Sequence, residues 1–129
     1  MATRSYIGKR LPNGDIRAIY CHWDGYPEHN GRILAQHYRD DAKINRLLKL
    51  GALSILGEEI GRKHDFNKPK KGWCVAYARD RGERNVSSTI INDVRELTDI
   101  VDFVYIWEMG AWHCYNDEQV IDLAAESAA

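Results

Sequence analysis

The run Tyr20-Cys21-His22-Trp23-Asp24-Gly25-Tyr26-Pro27 brings a thiol, an imidazole, a carboxylate and aromatic rings together at the end of a strand-like segment. That is more chemistry than a turn needs, since Asp24-Gly25 and Pro27 alone would reverse the chain. His22, Asp24, His29 and His37 lie close in sequence, and two imidazoles with a carboxylate are a donor set that suits zinc or another divalent ion. Their spacing matches no established metal motif. A hydrolase would use His22 or His37 as general base with Asp24 orienting it, because a neutral imidazole moves protons near pH 7. No serine stands in a nucleophile elbow, and Cys21 alternates away from His22 along an extended strand. The residues therefore assign no catalytic side chain, no metal ligand and no cofactor. They describe a ligand- or partner-binding set: His22, Trp23, Asp24, Tyr26 and His29, joined by Arg79 and Arg81. The bland reading places His22 in bonds within a sheet, His29 in solvent and His37 at a helix boundary.

A second cluster is cationic. Arg62, Lys63, Lys68, Lys70 and Lys71 crowd one segment, with Arg79, Arg81 and Arg84 in another. Such a patch attracts phosphate, and Trp23, Tyr26, Phe66 or Trp112 are candidate stacking partners for a base. Asp65, Asp80 and Glu83 partly cancel the field, which argues against nucleic acid and leaves a solvated loop as the plainer reading. Gly51, Gly57 and Gly61 match neither the dinucleotide fingerprint nor the P-loop, so they end helices and permit turns. Phe103, Tyr105, Trp107 and Trp112 read first as sheet packing.

Elements that must position these side chains follow from turn signals and periodicity. Leu11-Pro12-Asn13-Gly14 separates extended runs at 4–10 and 15–23, a hairpin signal. In the second run Ile16, Ala18, Tyr20 and His22 share one face and Arg17, Ile19, Cys21 and Trp23 the other, the pattern of a central strand. Asn30 is placed to cap a helix carrying Ile33, Leu34, His37 and Tyr38, and Asp40 or Asp41 to start another carrying Ile44, Leu47 and Leu48, stopped by Gly51. Residues 54–60 suggest a short turn, and 61–72 an exposed loop. Strands are expected at 73–78 and 86–91, a helix capped by Asn92 with Val94 and Leu97, and a closing hairpin of 101–107 and 111–115 around Glu108-Met109-Gly110. The tail after Asp117 reads as helical or frayed. The resulting expectation is an α+β domain over 1–129: a mostly antiparallel sheet of about five or six strands, a hairpin at each end of the chain, packed by two or three helices.

With 129 residues, 44% hydrophobic and 29% charged, the chain suits one domain. A net charge of −1 suggests neither a strongly basic nucleic-acid binder nor an acidic decoy. Apolar runs are too short for a membrane span, and Met-Ala-Thr-Arg-Ser lacks the apolar core of a secretory signal, so an intracellular, membrane-free protein is expected. Cys21, Cys74 and Cys114 are odd in number and widely spaced, which points to reduced thiols.

The segments Arg4-Ser5-Tyr6-Ile7, Ile19 to Tyr26, His37-Tyr38, Leu50-Gly51 with Leu53-Ser54, and Arg79-Asp80-Arg81-Gly82-Glu83 together resemble a family of small bacteriophage proteins marked by a Cys-His-Trp-Asp-Gly-Tyr core. Ala52 stands where an acid is expected in that pattern. The resemblance carries over no activity, cofactor or catalytic residue. What it implies is context: a phage accessory protein in the cytoplasm of an infected bacterium, binding a host protein or a phosphate-containing small ligand and so antagonising defence or redirecting a host factor. A histidine- or metal-dependent phosphodiesterase or nucleotide hydrolase, and an oligomeric structural accessory protein, are the alternative expectations.

Overall fold

A computed structural model of the chain describes residues 2–116 and 120–122. In it β1 (Ser5–Arg10) and β2 (Ile16–Cys21) pair antiparallel, from Ser5 opposite Cys21 to Arg10 opposite Ile16. The turn between them holds because Gly14 takes a φ of +93° and Asn13 Oδ1 accepts the Asp15 amide N–H at 3.0 Å. As its double-sided pattern required, β2 is internal to the sheet. Ile19 and Cys21 enter one core, Ile16 and Ala18 another.

The remaining strands are β3 (Leu53–Ile55), β4 (Val75–Ala76), β5 (Thr89–Ile91), β6 (Phe103–Glu108), β7 (Ala111–Tyr115) and β8 (Val120–Asp122). They order as β4-β3-β2-β1-β6-β7-β8, with β5 pairing the Ile16–Ala18 end of β2. Two neighbours run parallel, β1 with β6 and β2 with β3, and the others antiparallel. The α+β class and the mostly antiparallel sheet are as expected. Among the described residues the sheet has eight strands, because β3 and β8 join it; β3 falls largely in the segment expected to turn, and β8 in the tail expected to be helical or frayed. Residues 118–119 and 123–129 of that tail lie outside the described residues.

Helices pack on both faces of the sheet, unequally. Helices α1 (Arg32–His37) and α2 (Asp41–Lys49) bury Leu34, Ala35, Tyr38, Ile44, Leu47 and Leu48 against Ile7, Ile19, Tyr105 and Trp112. Asp40 caps α2 by accepting the Lys43 amide N–H at 2.8 Å, and Gly51 ends it at φ +77°. The other face carries α4 (Arg95–Thr98), whose Leu97 packs with Val101 on Ile16, Ala18, Val104 and Ile106. That helix is opened by Glu96, whose Oε2 accepts the amide N–H groups of Asn92 and Asp93, instead of by the Asn92 side chain.

The strand expected over 73–78 is cut to two residues by Asp80. Its carboxylate reaches back to the Ala76 amide N–H at 2.8 Å, and the chain turns into α3 (Tyr77–Arg81). Asp80, read from the sequence as one of the acids that partly cancel the cationic loops, is buried.

Candidate functional site

The elbow after β2 has a fixed main chain that exposes the Trp23 and Tyr26 side chains. His22 and Trp23 extend the β2–β3 ladder, their amides donating to Leu53 O and Ser54 O at 3.0 and 3.1 Å. Asp24 then takes a left-handed φ of +57°, a conformation that short polar side chains tolerate. Gly25 donates to Thr3 O at 2.9 Å, and its own carbonyl accepts from Tyr105 Oη at 2.5 Å. A Cβ at Gly25 would stand 2.8 Å from both Ser5 Cβ and Thr3 O, so only glycine fits that approach. Pro27 opens a π-helical turn, Pro27–Gly31, that runs into α1. The helical path therefore begins before Asn30, which is not its cap.

Asn30 instead locks the elbow from inside. It is fully buried, and its Nδ2 donates to Trp23 O at 3.3 Å and to Cys21 Sγ at 3.4 Å. Its Oδ1 lies 3.0 Å from His29 Nδ1, so the neutral ring carries its proton on Nδ1 and offers Nε2 as an acceptor. Above this frame Trp23 and Tyr26 are exposed, at 44% and 37%. Burial pushes the Cys21 thiol up to about 12, against the Asn30 hydrogen bond that lowers it, and burial likewise raises Cys74. Both stay protonated, so neither is poised as a nucleophile.

Beside the elbow lies a cleft of about 550 Å³. Asp24, His29 and Ile33 contribute to it from the elbow and helix start, and Pro69, Lys70, Lys71 and Trp73 from the basic loop. Between them runs the β3 segment, adding Ile55, Leu56 and Glu58, with Val75 of β4 beyond. The loop is tied to this floor by Glu59 N–H to Gly72 O at 3.0 Å and Cys74 N–H to Glu59 O at 2.9 Å. Lys70 Nζ stands 4.3 Å from the Trp73 ring centroid, a cation–π contact that holds the ammonium at the cleft. His64 meets the same ring edge-on at 5.5 Å.

No family model, curated protein or solved structure matches the chain.

The geometry sorts the sequence candidates. Asp24 and His29 share the cleft with Lys70 and Lys71, whereas His22 lies on the opposite sheet face, its Nδ1 2.7 Å from Tyr20 Oη. His37 pairs with Glu58 at 3.9 Å. Among the described residues no three of His, Cys, Asp and Glu converge as a cation site. Arg79 is a structural clamp: it donates to both Asp80 oxygens, to Ile60 O and to Cys74 O. Arg81 lies over the Phe66 and Tyr77 rings and pairs with Glu83 at 2.5 Å, away from the cleft lining. Arg62, Lys63 and Lys68 are exposed outside it. Trp73, read as a strand residue, is the aromatic wall that the sequence reading missed; its place directly after the Lys70-Lys71-Gly72 run was the available signal. Glu58 and Ile33 gave none, because only tertiary pairing brings them there.

Proposed function

We propose that the chain is a phage accessory protein that works by stoichiometric binding, not turnover, and so antagonises a host defence or redirects a host factor inside an infected bacterium. The observation that carries the binding reading is the single cleft shared by Asp24 and His29 of the elbow with Lys70 and Lys71 of the basic loop. A rigid main chain displaying Tyr26 next to the cleft residue His29, ring centroids 6.0 Å apart, and exposed Trp23 on the same elbow has the make-up of a recognition surface, where a few aromatic and cationic anchors supply most of the affinity. Protonated thiols and the place of His22 on the opposite sheet face favour binding over hydrolysis. The phage setting rests on the sequence resemblance alone.

The test is retention from a bacterial lysate by immobilised protein, followed by native mass spectrometry of the complex. Wild-type chain should hold one component in fixed ratio and release it chemically unchanged. Trp23→Ala should weaken retention by about 2 kcal/mol, roughly 30-fold. Undiminished retention by Trp23→Ala and Tyr26→Ala, or release of an altered component, would overturn the reading.

A further inference from the structure

The cleft is bipolar. Its elbow side offers a carboxylate, Asp24, and the acceptor Nε2 of His29; its loop side offers two ammonium groups, Lys70 and Lys71; aliphatic carbons of Ile55 and Leu56 lie between, with Glu58 on the same floor, its carboxylate 3.9 Å from His37 Nε2. A ligand that satisfies all three zones carries an anion at one end, a flat or apolar middle, and hydrogen-bond donors at the other end. Inorganic phosphate satisfies only the lysines. An aliphatic anion satisfies the lysines and the floor but leaves Asp24 without a partner, which is costly when the carboxylate loses water on ligand entry. Volume is consistent with a ligand of nucleotide size, since small-molecule sites commonly span about 300–1,000 Å³.

We propose that this cleft binds a purine nucleotide, with phosphate on Lys70 and Lys71 and the base edge on Asp24. This deepens the binding reading above and rests on it. Guanine suits the carboxylate best: its N1–H and exocyclic N2–H₂ donate side by side to the two oxygens, in the bidentate geometry that makes charge-assisted pairs strong. Adenine presents one amino group there. Uracil presents one N3–H flanked by two carbonyl oxygens, which the carboxylate repels. The order guanine, adenine, uracil follows from those donors. Lys70 is held for the task by Trp73, whose own ring is backed by Gly61, where any Cβ would collide with it.

Isothermal titration of the full chain with 5′-GMP, 5′-UMP and inorganic phosphate tests the assignment, with chromatography of the recovered nucleotide. GMP should bind saturably and at least about tenfold tighter than UMP or phosphate, one charge-assisted pair's worth. Lys70→Ala with Lys71→Ala should weaken GMP by tenfold or more, and Asp24→Asn, an isostere that tolerates the same φ, should erase the preference over UMP. Equal binding of phosphate and GMP, no saturable binding, or unchanged affinity in the lysine pair would overturn the nucleotide inference. If retention of a lysate component still falls in Trp23→Ala, the broader reading survives that failure. GMP recovered hydrolysed would do the reverse, keeping the site and overturning stoichiometric binding.

Discussion

Asp80 is the residue on which the loop side of the cleft depends. Its carboxylate gathers Arg79, the Ala76 amide and the His64 amide, and Arg79 in turn holds Ile60 O and Cys74 O. Burial pushes its pKa up, but the hydrogen bonds from Arg79, Ala76 and His64 outweigh that and keep it below the usual carboxylate range. A carboxyl depressed in the folded state takes up protons more readily when unfolded. Its stabilisation is therefore complete above the unfolded value, near ~4, and is lost as pH falls through the lower folded value. Asp80→Asn should cost about 3 kcal/mol at pH 7, because a guanidinium is left without its partner. Urea midpoints measured from pH 7 down to pH 2 should then fall less steeply in the variant; parallel curves would show that Asp80 does not carry the acid sensitivity. The sequence made Asp24, His29 and the lysines visible by type, since carboxylate, imidazole and ammonium announce their chemistry. Asn30 and Asp80 were misjudged because a buried amide or carboxylate is recognisable only from what surrounds it, and Cys21, Trp23 O and Ala76 N come into range through the fold.

At the scale of elements, local turn chemistry was the most legible part. Asn13-Gly14, Asp40 and Gly51 act as their residue types require, and β7 occupies Ala111–Tyr115 as expected. Short elements were not legible: β3 and β4 are too brief for a period to register, and their pairing comes from neighbours. One element breaks the local rule it obeys in outline. In the β6–β7 turn Met109 and Gly110 both take left-handed φ values, +52° and +73°, and Met109 is 93% exposed. Two-residue hairpins of this kind favour Asn-Gly, since a long side chain in the left-handed region costs about 1 kcal/mol or more. Met109→Asn should raise stability by about 0.5–1 kcal/mol, seen as a higher melting temperature with no change in nucleotide binding. A lower melting temperature would mean that Met109 makes a contribution the turn geometry does not account for.

At the scale of the whole molecule, the sheet separates a large core under α1 and α2 from a small one under α4. Both depend on β2. Ile16→Ala and Ile19→Ala, facing opposite ways in fully buried positions, should each cost about 2–4 kcal/mol and leave a single unfolding transition with an unchanged urea slope. Two resolved transitions in either variant would mean that the cores unfold separately. The alternation along β2 was enough to foresee a central strand; strand order was not legible, because it rests on partners far apart in sequence. The parallel seam between β1 and β6, Ser5 beside Phe103, is the extreme case. A nascent chain leaving the ribosome presents β1 before β6 and must keep one edge of β1 unpaired until Phe103 and the residues after it have been made. Synthesis from the amino terminus thus cannot lay down this sheet progressively, and premature termination products would expose an open edge to their neighbours.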